Sequence, residues 1–336
     1  MKVFSCNGDE KFTVQDVQTE DQVGKIKVRV TKVLPDLTDI NIFTGNGSFN
    51  YPFIPGHNAV GICSDDVPEY NLKRGSKLIL NPYYYDDKQI IRSKGVDSNG
   101  FLSEYVYVDP NQVIPFPDYE NEYLITEKEA IFTNKVSVAL SVFKKAELEV
   151  GSYVVIIGGN ALCNIIAQLA LYFQYVPIVI DSTGANAELL KRNNIFYIVN
   201  ESRESVIDRI NEITCGKMAD LVVLPIQPNI SPEYLFSITR EGGSAVVLSE
   251  NGTVKRIALD ISAISKRQIS VFGISNGYDQ FTSAVNIIAQ KSINVSNLID
   301  KEVEIQDADI TLRELKGNVN RYYGVLINLE NIKPKK

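Results

Sequence analysis

The chain lacks tryptophan and has only one histidine and four cysteines among its 336 residues. No pair of cysteines has the spacing of a metal-binding or disulfide motif. We therefore expect free thiols in a reducing compartment, which predicts a cytoplasmic protein. Any site that needs a histidine must use His57. The thiols are those of Cys6, Cys63, Cys163 and Cys215.

The sequence also lacks an excess of positive charge and any long apolar run. Its net charge of −7 and pI near 5.0 argue against nucleic acid or an anionic membrane as the main partner. No stretch approaches the roughly 18 apolar residues of a membrane-spanning helix. The composition is that of a globular protein long enough for two domains, and we expect no nucleic acid and no membrane as partners.

Two kinds of hydrophobic pattern divide the chain. Short alternating runs between turn residues predict an all-β, barrel-like fold over residues 1–118. Helical spacing follows over 120–148, and beyond Gly151 strand and helix patterns alternate as in a doubly wound parallel sheet. We predict an α/β protein with two domains. One is a β-rich substrate domain of residues 1–130 plus 279–336, and the other is a Rossmann-type nucleotide-binding domain of residues 131–278.

The clearest unit runs from Gly151 to Asp181. A buried strand ends in a glycine turn, a helix follows, and a second buried strand closes on an acid. This is the order of a dinucleotide-binding βαβ unit, in which the helix N-terminus faces a pyrophosphate and the acid a ribose. The predicted cofactor-binding residues are Gly158, Gly159, Asn160, Ala161, Leu162 and Asp181.

The glycine fingerprint of this unit is incomplete. A GxGxxG motif needs glycine at 158, 160 and 163, whereas the chain has Asn160 and Cys163 at the last two positions. Asparagine tolerates left-handed backbone but places a side chain toward the phosphates. Asp181 favours NAD over NADP, because a carboxylate repels a 2′-phosphate. A βαβ unit without nucleotide, in which Asp181 only caps a turn, remains the alternative.

Several segments, in the right order and spacing, resemble the medium-chain dehydrogenase/reductase superfamily, the zinc-type alcohol and polyol dehydrogenases. The resemblance implies a GroES-like barrel domain with a Rossmann domain, and an NAD(H)-dependent oxidoreductase acting on a small alcohol, polyol or carbonyl. It also implies a homodimer or homotetramer, since the apolar segment ISVFGIS would be a hazard as a free sheet edge. The matching segments are DLTD at 36–39, IPGHNAVGIC at 54–63, SKGVDSNGFLSEYVYV at 93–108, LEVGSYVVIIGG at 148–159, and REGGSAVVL with FGIS at 240–248 and 272–275.

The departures from the family concern zinc. By the resemblance, Asp36 stands in place of a ligating cysteine, Asn58 in place of the GHE glutamate and Asn134 in place of the third ligand. Asp36 and His57 could bind Zn²⁺, but asparagine is a poor neutral ligand. The four-cysteine lobe of the structural zinc is missing, because residues 81–100 contain no cysteine. We therefore predict no structural zinc and no normal catalytic zinc.

The resemblance makes Asp36, Thr38 and His57 the candidate catalytic residues. Thr38 stands at the position of a proton-relay hydroxyl, and His57 at that of a ligand. The proton would come from Thr38, from His57, or from water held by Asp36. Each residue also has a purely structural interpretation, as a turn cap or a packed histidine. The alternative function is a catalytically inactive family member that serves as a binding or accessory subunit; a plain zinc dehydrogenase is the third possibility.

Overall fold

The computed structural model describes residues 1–18, 20–182, 184–225, 234–249, 261–317 and 324–332. The chain forms two compact units. The first is Met1–Asn134 with Phe281–Gln290 and Val295–Lys336, and the second is Lys135–Gln280 with Lys291–Asn294. Within the described ranges, no helix is long and apolar enough to cross a membrane. The division of roles between a substrate domain and a nucleotide domain stays a prediction.

The N-terminal part of the chain consists mainly of short strands. Its elements are β1 (Lys2–Cys6), β2 (Phe12–Asp16), β3 (Ile26–Val33), α1 (Leu37–Thr44), β4 (Ala59–Cys63), β5 (Lys77–Leu80), β6 (Tyr83–Tyr85), β7 (Ile91–Ser93), β8 (Tyr105–Val108), β9 (Val113–Pro115), β10 (Asp118–Tyr119), β11 (Glu122–Tyr123), α2 (Glu127–Ala130) and α3 (Thr133–Lys145).

Strands and helices then alternate before the chain returns to the first unit. These elements are β12 (Tyr153–Ile157), α4 (Ala161–Tyr172), β13 (Val176–Ile180), α5 (Ala187–Arg192), β14 (Tyr197–Val199), α6 (Val206–Ile213), β15 (Ala219–Pro225), α7 (Leu235–Ile238), β16 (Thr239–Leu248), α8 (Ile261–Lys266), β17 (Ser270–Ile274), α9 (Phe281–Ala289), β18 (Lys301–Glu304), α10 (Ala308–Gly317) and β19 (Val325–Asn328).

The first unit is built on a mixed sheet in the order β18-β19-β3-β4-β5-β9, with β8 also paired to β3. Only β18 and β19 run parallel; the other pairs are antiparallel, with Val28 opposite Cys63 and Val33 opposite Ala59. Alternate residues of β3 point into a core that Phe101 and Leu78 share. The alternating pattern thus gives a sheet with one face on a core, as predicted.

An α-helix and two short 3₁₀ helices, Pro68–Tyr70 and Pro110–Gln112, interrupt the region that the alternating pattern assigned wholly to strands. Asp36 caps α1, and its side chain and that of Asp39 form a reciprocal capping box. Gly45 ends the helix in left-handed backbone at φ 76°. Acidic residues three positions apart before an apolar pair are a helix-start signal, which overrides the strand interpretation here. The all-β prediction for residues 1–118 is therefore wrong at α1.

The second unit is a six-stranded parallel sheet in the order β14-β13-β12-β15-β16-β17. Numbered along the chain from β12, this is the order 3-2-1-4-5-6 of dinucleotide-binding folds. Its inner strands are buried on both faces, which explains their continuous apolar runs. The predicted fold class is confirmed. Pairing of a second copy along β17 stays a prediction.

Candidate active site

The first turn of α1 holds two carboxylates in fixed positions. Asp36 Oδ1 accepts a hydrogen bond from the Thr38 N–H at 3.0 Å, and Asp39 Oδ2 accepts one from the Asp36 N–H at 3.0 Å. Both groups lie where the helix offers unpaired N–H groups and the positive end of its dipole.

His57 lies between these two carboxylates. Its Nε2 is 3.0 Å from Asp36 Oδ2, and its Nδ1 is 3.6 Å from Asp39 Oδ2. The first distance is that of a hydrogen bond, whereas the second is too long for one and acts through charge alone. The Gly56 N–H donates to Asp39 Oδ1 at 2.6 Å, which ties the histidine loop to α1. His57 is 4% exposed, so water screens neither of its contacts with the two carboxylates.

The two carboxylates determine the charge of the imidazole. Burial lowers the pKa of His57. The charge and hydrogen bond of Asp36 and the charge of Asp39 raise this pKa by more than burial lowers it, so the result is a pKa of about 10. A pKa raised to about 10 favours the imidazolium at neutral pH, with Nε2 facing Asp36 Oδ2 at 3.0 Å and Asn58 Nδ2 at 3.3 Å. The positive charge in this cluster is carried by the protein itself.

Two asparagines extend the cluster. Asn58 Nδ2 donates to the Leu34 carbonyl at 3.1 Å and lies 3.4 Å from Asp36 Oδ2. Asn134 Nδ2 donates to Asn58 Oδ1 at 2.8 Å. Sequence reasoning placed both asparagines at ligand positions of the family but missed their bond to each other, which links residues 76 positions apart.

The donor set of the cluster differs from the zinc-ligand set that the resemblance implies. Ligand atoms of Asp36, Asp39 and His57 lie within 4.8 Å of one another. However, Nε2 of His57 already lies 3.0 Å from Asp36 Oδ2 and 3.3 Å from Asn58 Nδ2. Both oxygens of Asp39 already accept backbone N–H groups. The nearby asparagines direct amide N–H groups at Asp36 and at Asn58 Oδ1, and such groups cannot bind a cation.

The structure brings the three predicted catalytic residues together. Thr38 lies in the first turn of α1 and is fully buried. The Asp36 side chain is 10% exposed, compared with 5% for His57 and 1% for Asp39. Asp36 is therefore the member of the cluster closest to solvent, which makes it a better exit for a proton than the buried Thr38.

The predicted glycine turn lies between β12 and α4 in the second unit. Gly158 has φ 118°, which only glycine adopts easily. Asn160 is not left-handed: it has φ −70° and caps α4, and its Oδ1 accepts the Cys163 N–H at 2.9 Å. Cys163 is buried beneath the turn, where its thiol faces the Ile157 carbonyl at 3.9 Å. Ala161 and Leu162 form the buried first turn of α4.

Asp181 lies at the end of β13, beside the glycine turn. The Gly158 N–H donates to the Ile180 carbonyl at 2.8 Å, so turn and acid share one edge of the sheet, as predicted. Asp181 is 2% exposed, and its Oδ2 accepts the Asn186 N–H at 3.0 Å. This carboxylate thus organises the turn before α5. Its role toward a ribose stays a prediction.

Comparisons with known proteins agree with this architecture. A model of the alcohol dehydrogenase GroES-like domain matches residues 22–118. The chain is 24% identical over 300 residues to an uncharacterized zinc-type alcohol dehydrogenase-like protein from Haemophilus influenzae, which covers 85% of this chain and 86% of that protein.

Solved structures share the fold over nearly the full length. The 2R,3R-butanediol dehydrogenase from Bacillus subtilis superposes with a TM-score of 0.84 at 17% identity, over 97% of this chain and 99% of that one. A protein described as a short chain alcohol dehydrogenase from Escherichia coli, complexed with NADH, gives 0.85 at 15% identity over 98% and 99%. With a matching GroES-like domain over residues 22–118, a parallel sheet in dinucleotide-binding order and these relatives, the chain is similar to the alcohol dehydrogenase-like oxidoreductases of the medium-chain dehydrogenase/reductase superfamily.

Proposed function

We propose that the protein transfers a hydride between NAD(H) and a small alcohol, polyol or carbonyl, and that it does so without a catalytic zinc. The observation that carries the proposal is the buried His57 ring, which lies 3.0 Å from Asp36 Oδ2 and 3.6 Å from Asp39 Oδ2. In the zinc enzymes that the chain resembles, a metal cation stands beside the reacting oxygen. Here the cation is a protonated side chain.

The second unit has the features that a dinucleotide requires. The turn at Gly158 and the N-terminus of α4 would hold the pyrophosphate, and the carboxylate of Asp181 would hold the ribose. Asn160 weakens the phosphate site, because its own oxygen already accepts one N–H group of α4. A bound nicotinamide supplies or accepts the hydride.

The cluster in the first unit supplies the proton chemistry. An acid with a pKa near 10 stays protonated at neutral pH, yet it can still protonate an alkoxide, which is far more basic. During carbonyl reduction, the proton on His57 Nε2 moves to Asp36. Asp36 passes it to the substrate oxygen, either directly or through a bound water. In alcohol oxidation the proton takes the reverse path, from the substrate oxygen through Asp36 to the deprotonated Nε2 of His57. The imidazolium charge favours the negative oxygen of the transition state.

Asp181 leads us to expect preference for NADH over NADPH. A 2′-phosphate within about 4 Å of this carboxylate would cost on the order of 1–4 kcal/mol, which corresponds to roughly 10- to 1,000-fold in affinity. Calorimetric titration with both nucleotides measures the difference. Tighter binding of NADPH would show that Asp181 does not face the ribose.

A catalytically inactive binding subunit is the second candidate. Two contacts favour it, because they use groups that a nucleotide would need. Asn160 Oδ1 already accepts an N–H group at the N-terminus of α4, and the Asp181 carboxylate already accepts the Asn186 N–H. Under this alternative, neither nucleotide binds at millimolar concentration and no carbonyl is reduced.

The test of the proposed function combines metal analysis with an activity screen. We expect far less than one Zn²⁺ per chain after dialysis, and NADH oxidation with at least one short-chain carbonyl or ketose at a rate that a chelator does not change. One tightly held Zn²⁺ per chain, with activity lost on chelation, would contradict the zinc-free mechanism. Activity without zinc that survives replacement of His57 would contradict the assigned role of this residue.

A further inference from the structure

The side chain of Asn186 lies directly against the glycine turn of the second unit. A Cβ atom placed on Gly159 would be 2.5 Å from Asn186 Nδ2 and 3.2 Å from Asn186 Cβ and Cγ. The carboxamide therefore rests on the bare backbone of Gly159. Asn186 is only 5% exposed, so the side chain fills this position.

The backbone of Asn186 is held in place by the acid that would receive the ribose. The Asn186 N–H donates to Asp181 Oδ2 at 3.0 Å, and the Asn186 carbonyl accepts the Leu190 N–H at 3.0 Å in α5. One residue thus covers the glycine and engages the carboxylate. In a dinucleotide-binding unit, these two groups are the ones that the adenosine half approaches.

Building on the proposed use of NAD(H), we propose that Asn186 is an internal plug of the adenosine–ribose position, so that a dinucleotide binds only after this side chain has left Gly159. The Asn186 carboxamide and the ligand compete for the same space beside Gly159, while the Asn186 backbone N–H stays on Asp181 Oδ2. The observed affinity is then the intrinsic affinity reduced by the fraction of molecules with an open site.

The binding test replaces Asn186 with glycine, which removes the carboxamide and keeps the N–H that bonds Asp181. We expect NADH and AMP to bind about 10-fold tighter or more by calorimetry, since the closed state no longer competes. Asn193→Ala is the matched control. Asn193 is also buried, lies just after α5, and donates from Nδ2 to Asn164 Oδ1 of α4 at 2.8 Å rather than covering Gly159. This control should leave both affinities unchanged.

A second measurement needs no nucleotide. Gly159→Ala should lower the free energy of unfolding in the wild-type chain, because the new Cβ meets the Asn186 carboxamide. In the Asn186→Gly background, the same substitution should cost clearly less, and this coupling reports the contact directly. Additive effects of the two substitutions would overturn the proposed plug.

The binding outcomes separate this inference from the proposed function. If the wild-type protein binds NADH and Asn186→Gly binds it no tighter, the plug is wrong and the oxidoreductase proposal stands. If neither protein binds NADH or AMP at millimolar concentration, both proposals fail. Tighter binding by Asn186→Gly alone, with the Asn193→Ala control unchanged, supports both.

Discussion

Replacing His57 with glutamine is expected to lower kcat/KM for carbonyl reduction by about 10²- to 10⁴-fold, the usual contribution of a positioned acid. Glutamine retains a donor of similar reach toward Asp36 but has neither a transferable proton nor a positive charge. Added imidazole should partly restore the activity of a His57→Gly variant. Full activity of either variant without imidazole would contradict the assignment of His57 as the proton source.

The same substitution should change how stability depends on pH. The pKa of His57 is about 6.5 in an unfolded chain and is raised to about 10 in the folded protein. A raised pKa stabilises the fold fully below pH 6.5, and this stabilisation is lost as the pH rises through about 10. At about 1.4 kcal/mol per pKa unit, the loss is on the order of 5 kcal/mol.

Urea unfolding at several pH values measures this loss. The wild-type protein should lose stability between about pH 7 and 10, whereas His57→Gln should lack that part of the slope, since lysines and tyrosines titrate equally in both proteins. Identical slopes for the two proteins would show that the folded protein does not raise the pKa of His57.

Replacing Asp39 with alanine is expected to destabilise the protein by about 3–5 kcal/mol, the cost of removing one partner from a buried ion pair. The Asp39 carboxylate accepts the Gly56 and Asp36 N–H groups and faces His57. Its loss leaves two backbone donors without this acceptor and the imidazolium with one carboxylate. The Asp39→Asn variant should fall between alanine and wild type, because it keeps one acceptor oxygen.

Asp21→Ala is the control for this prediction. Asp21 pairs with Lys27 at 3.1 Å, but the Asp21 side chain is largely exposed, so its removal should change the unfolding midpoint little. An unfolding midpoint for Asp39→Ala equal to that of Asp21→Ala would contradict the view that Asp39 holds the histidine loop on α1.

The fold followed from periodicity, because long apolar runs and strict alternation report burial on two faces or on one. That information was enough for the parallel sheet and the mixed sheet. It was not enough for α1, an eight-residue helix beside strand-like residues. Only the spacing of Asp36 and Asp39, the ends of its capping box, carried that signal.

The site was less predictable, since its decisive contacts join distant parts of the chain. The resemblance predicted that Asp36 and His57 lie close together, but it did not predict the hydrogen bond between them, which raises the pKa of the imidazole. The contact of Asn186 with Gly159 has no periodic signal, because it joins two loops 27 residues apart in the sequence. Such contacts depend on side-chain packing, which a single sequence does not encode locally.

The most direct test of the account is nitrogen NMR of the histidine ring in isotope-labelled protein. Since His57 is the only histidine, one imidazole gives all the signals. We predict that both ring nitrogens are protonated at neutral pH, that the ring titrates with a pKa raised to about 10, and that equimolar Zn²⁺ leaves the spectrum unchanged. Titration near the ordinary pKa of about 6.5, or loss of the Nε2 proton on addition of Zn²⁺, would contradict the claim that a protonated histidine replaces the metal.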